Sequence, residues 1–263
     1  MRTLGLRLPA GHCIERHRHS WPQLVHATGG GLSIETSTGN WIVPHGHAVW
    51  IPGGFEHGAR TTGQVRMRSL YVRPSEAGRL PARCRVLHVS PLLRELILEA
   101  VRIGLVDACV PEHAHLAVVL IDRIARAPEA PLRIDLPTDR RARRVADEAR
   151  RDLASMRPLS ELARGSGASA RTLERLFVRE TGRTFGRWMQ HLRALHALER
   201  LAGGDSVTEA GLAVGYESTS AFISAFKRVL GATPGRFLVR PEEVGPDPSA
   251  SQLKRRPRVG PVP

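Results

Sequence analysis

The sequence contains only three cysteines, Cys13, Cys84 and Cys109, and they lie far apart in its 263 residues. Such a set cannot pair completely, which argues against a disulfide scaffold and favours buried, reduced cysteines. Apolar runs long enough to span a membrane are also missing, and the N-terminus lacks the apolar stretch of a secretory signal. These absences predict a cytoplasmic protein that does not enter the membrane.

Lysine is nearly absent as well, since Lys227 and Lys254 are the only two. Arginine therefore supplies almost all of the positive charge. Basic residues outnumber acidic ones by 39 to 25, which gives a net charge of +14 and a pI near 11.3. This excess favours a polyanionic partner, and the planar guanidinium group suits bidentate contact with phosphate or guanine.

The first part of the chain has the pattern of short β-strands. Between Leu4 and Tyr71, short apolar stretches alternate with turn signals rich in glycine and proline, such as Thr28–Gly31. This spacing predicts a small β-barrel or sandwich. From Pro91 the apolar residues repeat every three or four positions, which predicts one amphipathic helix there and a second from about Glu112 to Ala127. These two helices either complete the β core or form a dimer seam.

Proline then marks a boundary, because three prolines fall between residues 127 and 137. We place a linker at 131–138. Everything after it has helical periodicity up to about residue 240. The stretch 241–263 is rich in proline and carries a basic cluster, so we expect a disordered tail that adds nonspecific phosphate affinity.

The most informative feature is a repeat between Leu159 and Pro234, in which the same unit occurs twice with an offset of 48 to 49 residues. Each copy has the pattern of two short helices joined by a tight turn, at Gly167 in the first and Gly215 in the second. This is the outline of a helix-turn-helix, in which the first helix braces a second helix that enters the DNA major groove.

The two copies differ in the side chains that we expect on the DNA side. Arg171 and Arg175 suit guanine edges or phosphates, Glu174 can accept from cytosine, and Ile223 can touch a thymine methyl group. Short hydroxyls in the second copy suit phosphate or water-mediated contacts. The candidate DNA-binding residues are Arg171, Thr172, Glu174 and Arg175 in the first copy, and Thr219, Ser220, Ile223, Ser224 and Lys227 in the second.

The stretch from Leu159 to Phe237 resembles the C-terminal domain of the AraC/XylS transcription regulators. The most specific match begins at Ser206-Val207-Thr208-Glu209, continues through Gly215-Tyr216-Glu217-Ser218, and ends at Gly231-Ala232-Thr233-Pro234. The resemblance implies two helix-turn-helix units joined by a long helix, with both recognition helices in adjacent major-groove segments on one DNA face. It also implies that Arg171, Glu174 and Arg175 are base-facing.

Two positions depart from that family pattern. Gly165-Ser166 and Gly211 stand where better helix formers or apolar residues are expected. A glycine inside a helix costs about 0.5–1 kcal/mol relative to alanine. We therefore expect the two units to be individually soft and to be ordered partly by DNA.

The N-terminal part carries a histidine constellation. His17, His19 and Gln23 follow Gly11, and His57 follows Gly46, Pro52 and Gly54, in two strings that resemble the paired cupin motifs. That resemblance implies three histidines and an acidic residue converging on a metal inside a β-barrel. Here Gln23 replaces the usual glutamate, and Thr61 stands where the second motif often has asparagine.

Three alternatives remain open for this constellation of His17, His19, Gln23 and His57. It binds a divalent transition metal such as zinc, nickel, copper or iron, which neutral imidazoles suit. It lines a metal-free pocket for an organic effector. Or its histidines are purely structural.

The predicted fold class is α+β with two domains. A cupin-like β-barrel followed by helices occupies residues 1–130, and an all-α domain with two helix-turn-helix units joined by a long helix occupies 139–240. We interpret the chain as a non-enzymatic, sequence-specific transcription regulator, controlled by a small-molecule or metal effector in the barrel. Its expected partners are double-stranded DNA, the effector, a second copy in a homodimer and, for an activator, RNA polymerase.

Two other functions are compatible with the sequence. A cupin metalloenzyme fused to a DNA-binding domain would use the histidine constellation for chemistry. A nonspecific architectural DNA-binding protein would use the basic charge alone and bind every sequence with similar affinity.

Overall fold

The computed structural model describes residues 1–36, 39–155 and 157–238, with a sheet-rich N-terminal domain followed by a helical C-terminal domain. The strands are β1 Arg2–Leu8, β2 Cys13–His17, β3 Gln23–Glu35, β4 Gly39–Val43, β5 His47–Ile51, β6 His57–Tyr71, β7 Arg85–His88, β8 Glu129–Ala130 and β9 Arg133–Asp135. The helices are α1 Pro91–Ile103, α2 Pro111–Arg126, α3 Arg140–Arg151, α4 Leu159–Leu162, α5 Ala170–Thr181, α6 Phe185–Gly203, α7 Val207–Ala213, α8 Thr219–Leu230 and α9 Pro234–Leu238. The tail predicted at 241–263 lies outside the described residues.

The two long strands β3 and β6 form the centre of the sheet and pair with each other along most of their length. The other edge of β6 pairs with β1 and β2, while β3 also pairs with β4 and β5. The turn predicted at Thr28–Gly31 is wrong, because β3 runs through it with a bulge. Gly29 and Gly30 have φ angles of 72° and 36°, and the register with β6 shifts there. Glycine tolerates positive φ, so the strand bends without ending.

Helices α1 and α2 cover one face of the sheet, so they complete its core, as the first of the two sequence-based alternatives proposed. Their buried residues belong to a cluster that also contains Leu24, Trp50 and Leu70 of the strands. The outer face of α2 leaves Val118 and Val119 exposed. None of the helices in the described ranges has the length and hydrophobicity needed to cross a membrane.

The cysteines are free thiols, but only one of them is buried. Burial raises the pKa of Cys84 to about 12, so this thiol stays protonated and unreactive. Cys13 and Cys109 are exposed, which corrects the expectation of buried cysteines. Cys13 begins β2, a strand that pairs only with β6 in the described sheet, and Cys109 lies between α1 and α2.

The segment predicted as a linker, 131–138, is built into the structure at the junction of the two domains. Its strand β9 pairs with β4 of the sheet, and helix α6 contacts it from the other side. The Trp188 Nε1 donates to the Asp135 carbonyl at 2.7 Å, and the His191 Nε2 lies 2.8 Å from the Arg133 carbonyl. The segment therefore joins the sheet to the helical domain through hydrogen bonds.

The repeat predicted in the C-terminal part has equivalent helix ends in both copies. Ser169 caps the N-terminus of α5 and Ser218 that of α8, each accepting from a backbone N–H in the first turn. Gly182 and Gly231 end these helices in the left-handed conformation. The supporting helices differ, because α4 has only four residues and continues as a 3-10 helix over Ala163–Gly165.

Gly211 has a packing role that the sequence did not reveal. A Cβ atom at this position would lie 2.9 Å from Cγ of Phe222, closer than real contacts allow. Helix α7 therefore approaches α8 at a distance that only glycine permits, so this glycine is a packing requirement of the pair. By contrast, a Cβ on Gly165 or Gly186 would meet nothing within 4 Å.

We predict that Gly211→Ala destabilises the protein by about 1–3 kcal/mol, because the added methyl group overpacks the contact with Phe222. Thermal or urea unfolding of the purified chain measures the change. The control is Gly186→Ala in α6, where the open space and the gain in helix propensity leave stability unchanged or slightly raised. Equal stability of the two variants would contradict the packing role.

Glu180 near the end of α5 connects this helix to the start of α3. Its carboxylate accepts from the Thr138 N–H at 2.8 Å and from the Asp139 N–H at 3.0 Å. Burial alone would raise the pKa of Glu180, but these hydrogen bonds and that from Arg179 lower it to about 2. The ionised form is therefore favoured in the folded state.

We predict that ionisation of Glu180 makes the free energy of unfolding depend on pH in the acid range. Because the folded pKa lies below the ordinary value of 4.5, the stabilisation is present above that value and is lost as the pH falls towards about 2. Glu180→Gln should lower the melting temperature at neutral pH and flatten its dependence on pH below about 5. Glu217→Gln, at an exposed position, is the control. A Glu180→Gln profile parallel to the parent's would exclude this role.

Candidate nucleic-acid interface and histidine centre

Helix α5 separates an inward face from an outward one. Leu173, Leu176 and Phe177 are buried, whereas Arg171 and Arg175 are exposed and lie one turn apart on the same side. Both arginines therefore belong to the outward face of α5. The structure thus brings together the two arginines that the sequence assigned to DNA.

Glu174 and Thr172, two other candidates in α5, are half-buried and have partners within the protein. The Glu174 Oε2 accepts from the Phe185 N–H at 3.4 Å, at the start of α6. The Thr172 hydroxyl lies 3.0 Å from that of Ser169. Glu174 is therefore only partly exposed, and its carboxylate also accepts a hydrogen bond at the N-terminus of α6.

Helix α8 has the same arrangement with different chemistry. Ser220, Ser224 and Lys227 are exposed. Thr219 is half-buried, with its hydroxyl 3.0 Å from that of Thr208 in α7. Ile223 is also half-buried and packs against the core, so it is less outward than the sequence pattern indicated.

Helix α6 holds these two helix pairs together. Trp188, Leu192, Leu195 and Leu198 are buried along it, and α5, α7 and α8 all pack against it. The Trp188 ring lies 5.2 Å from that of Phe177 in α5. A single helix therefore supports both outward faces and sets the distance between them.

The N-terminal domain brings His17, His19 and His57 together. One ligand nitrogen from each lies within 4.8 Å of the others, and the ring centroids are 4.5 to 5.7 Å apart. His19 and His57 are buried, whereas His17 is exposed. Among the residues that the structure describes, this is the group with the geometry for a metal ion.

Backbone carbonyl groups orient the three rings. The Nδ1 atoms lie 2.9 Å from Glu15 O for His17, 2.6 Å from Trp21 O for His19 and 2.8 Å from Phe55 O for His57. Because a carbonyl only accepts, each neutral ring carries its hydrogen on Nδ1 and presents the Nε2 lone pair. Burial lowers the pKa of His57 to about 4, which keeps that ring neutral at physiological pH.

Gln23 lies beside the three histidines, as predicted, and two residues that the sequence analysis missed hold it there. Its Oε1 is 3.1 Å from His19 Nε2, while its amide nitrogen donates to the Ser69 hydroxyl at 3.0 Å and to the Tyr71 hydroxyl at 2.9 Å. Burial raises the pKa of Tyr71, which keeps its hydroxyl protonated. Only the pairing of β3 with β6, which sets Gln23 opposite Tyr71, could have revealed this contact.

Thr61, which stands at the asparagine position of the second cupin motif, has a structural role instead. Its hydroxyl donates to the Pro9 carbonyl at 2.6 Å and accepts from the His12 N–H at 2.9 Å. These bonds fix the loop that leads into β2. Strand β2 follows this loop and places His17 next to His19 and His57.

Family models match most of the chain. Residues 6–154 match the model described as AraC-like ligand binding domain, and residues 162–240 match that described as Helix-turn-helix domain. The HTH-type transcriptional regulator NimR of Escherichia coli strain K12 is 35% identical over 237 residues, which cover 88% of this chain and 86% of NimR. The HTH-type transcriptional regulator RipA of Corynebacterium glutamicum is 36% identical over 122 residues, or 46% of this chain and 35% of RipA.

Solved structures to which this chain is similar include ToxT from Vibrio cholerae, with a TM-score of 0.39 and 10% identity over 90% of this chain and 97% of ToxT. An AraC-type regulator from Chromobacterium violaceum is similar over 40% of this chain and 95% of its own, with 23% identity and a TM-score of 0.36.

Proposed function

Because this chain belongs to the AraC family of transcription regulators, we propose that it binds specific DNA sequences under the control of an effector held in its N-terminal domain. In this proposal α4 with α5, and α7 with α8, are two helix-turn-helix units, and the N-terminal sheet is a cupin-like barrel. A homodimer would use the exposed outer face of α2. RNA polymerase is a further partner if the protein activates transcription.

The observation that carries the DNA-binding proposal is the matched pair of outward faces on α5 and α8. Each helix begins at a serine cap, buries aromatic and aliphatic residues on one side and leaves its polar side free. This is the arrangement that a major-groove reader needs. Both helices pack on α6, so the two faces can engage one duplex together.

The exposed side chains of α5 and α8 suit different kinds of contact with DNA. Arg171 and Arg175 can each form a bidentate contact with a guanine, which makes α5 the main source of sequence discrimination. Ser220, Ser224 and Lys227 on α8 suit phosphate groups and bridging waters, which position the protein without specifying sequence. Glu174, Thr172, Thr219 and Ile223 orient these residues and reach DNA with the part of each side chain that remains exposed.

We predict that Arg171→Ala and Arg175→Ala each weaken binding to a preferred duplex by roughly 5- to 150-fold, because a good base contact is worth about 1–3 kcal/mol. The preferred duplex is first selected by the unaltered protein from a randomised pool. Affinities are then measured on that duplex and on a shuffled one, at the same salt concentration.

Arg164→Ala provides the matched control, since Arg164 is exposed in the same unit but lies outside α5. We expect this variant to change both affinities by similar factors. If Arg171→Ala and Arg175→Ala also lowered both affinities equally, the protein would be a nonspecific architectural binder instead.

The proposed effector centre is formed by His17, His19, His57 and Gln23. Three neutral imidazoles and an amide oxygen fit zinc, nickel, copper or iron, and they lack the carboxylate that harder cations prefer. His19 Nε2 and Gln23 Oε1 face each other at 3.1 Å, and both are acceptors when Nδ1 carries the hydrogen. A cation between them would remove this repulsion. With neutral ligands, the bound metal would keep its full charge and attract an anionic group.

We predict that the untagged protein binds one equivalent of Zn²⁺, Ni²⁺, Cu²⁺ or Fe²⁺ after dialysis, measured by elemental mass spectrometry. His17→Ala should weaken that affinity by at least about tenfold, since even residues behind the ligands contribute that much. His17 is exposed, so its loss leaves the fold intact. His12→Ala, an exposed histidine outside the centre, is the control. Metal binding that is absent, or equal in both variants, would favour a metal-free effector pocket.

A further inference from the structure

Arg193 is a buried cation in the middle of α6, and neither the outward faces of α5 and α8 nor the histidine centre uses it. Only 8% of its surface is exposed, and burial lowers the pKa of its guanidinium group. Its Nε donates to the Leu153 carbonyl and its Nη2 to the Ser155 carbonyl, both at 2.9 Å. Burying a charge costs free energy, whereas these two hydrogen bonds specify one arrangement of the backbone.

The segment that Arg193 holds is the loop between α3 and α4, which leads into the first helix pair, α4 with α5. Within this loop Asp152 accepts from the Ser155 N–H at 3.1 Å, and Leu153 is buried in the hydrophobic cluster that contains Trp188. The planar guanidinium group carries several N–H donors in a fixed fork, so one side chain can bind both carbonyls. Residues 153–155 are therefore attached to α6 at both ends.

The same loop also contacts the second helix pair, α7 with α8. Gly215 lies in the turn of this pair with a φ angle of 90°, and a Cβ atom there would lie 2.7 Å from the Ala154 carbonyl oxygen. Tyr216 follows in the turn, and its ring centroid is 5.6 Å from that of Phe222 in α8. The loop before the first pair thus lies directly against the turn of the second.

We propose that Arg193 is a positioning residue, which holds residues 153–155 against Gly215 and so fixes the orientation of α8 relative to α5. Packed helices can slide over one another by small amounts, so packing on α6 alone leaves each pair some freedom. The second contact removes that freedom. Arg193 therefore determines the spacing between the two DNA segments that one chain accepts, an inference that rests on the proposed DNA binding by α5 and α8.

The first test uses the full chain and its preferred duplex, trimmed to the shortest length that still binds one chain. One inserted base pair displaces the second segment by about 3.4 Å and rotates it by roughly 35°. The insertion is moved stepwise along the duplex, and the position that costs most affinity marks the boundary between the segments bound by α5 and α8. There we expect the unaltered protein to lose roughly 5- to 150-fold in affinity, the range of a typical coupling between sites.

Arg193→Met should reduce this loss by about fivefold or more, because the second pair can then adapt to the displaced segment. Arg193→Lys should have an intermediate effect, since an ammonium group lacks the fixed fork. It also provides the same comparison if the methionine variant does not fold. Arg187→Met is the matched control at an exposed position on α6, and it should leave the loss unchanged even if a phosphate contact disappears.

A role for Arg193 in stability alone would have a different result. The melting temperature would fall, and the affinities for the two duplexes would fall by the same factor, so that the cost of the insertion stayed as in the unaltered protein. That outcome would overturn the proposal.

Distances between spin labels test the same inference without DNA. Val178→Cys on α5 and Arg228→Cys on α8 place the labels at exposed positions. The parent for this experiment carries serine in place of the exposed Cys13 and Cys109. Double electron–electron resonance measures the distribution of distances between the two labels.

We expect one narrow distance peak for the labelled parent. Arg193→Met should shift or broaden this peak by about 1–2 Å or more, the size of helix shifts in switching proteins, whereas Arg187→Met should not change it. Identical distributions for Arg193→Met and the parent would contradict the positioning role. A parent without any preferred DNA sequence would instead contradict the proposed function, and the distance measurement would still decide the role of Arg193.

Discussion

The packing of α6 on the β9 segment is the contact on which the rest of the structure depends. Trp188 is fully buried, and its indole N–H donates to the Asp135 carbonyl of β9. The strand β9 is at the same time an added edge of the sheet, next to β4. One hydrophobic cluster runs from the strands through Trp188 to Leu173, Phe177, Phe222 and Phe226 of α5 and α8. Strands β4 and β9 are thus in direct contact with α6.

This junction also explains the glycines around it. A Cβ on Gly31 in the β3 bulge would lie 2.9 Å from the Ala202 side chain, and one on Gly203 would lie 2.9 Å from Thr62 of β6. The C-terminal end of α6 thus approaches the sheet where a glycine on one surface faces a small side chain on the other. Helix and sheet lie too close there for a larger side chain, and steric exclusion therefore restricts their relative position.

The histidine centre lies on one face of β6. His57 belongs to the centre, whereas Arg60, three residues later on the same strand, lies on the opposite face. Neutral imidazoles and a glutamine suit a transition-metal cation. The face of the sheet that packs against α6 is therefore separate from the face that carries the three histidines.

The sequence by itself determined the elements whose signals are local. The serine caps of α5 and α8, the glycine turns and the 49-residue offset between Leu173 and Phe222 follow from spacing and side-chain chemistry. The convergence of His17, His19 and His57 was implied by the resemblance to the cupin motifs. Tertiary structure alone decided which residues meet across long separations. Residues 133–135 of the predicted linker form strand β9, and Gly211 is required next to Phe222. Gln23 donates to Ser69 and Tyr71, and Glu174 and Ile223 are partly buried. These outcomes depend on packing between distant segments, and a periodicity read along one segment carries no information about its partner.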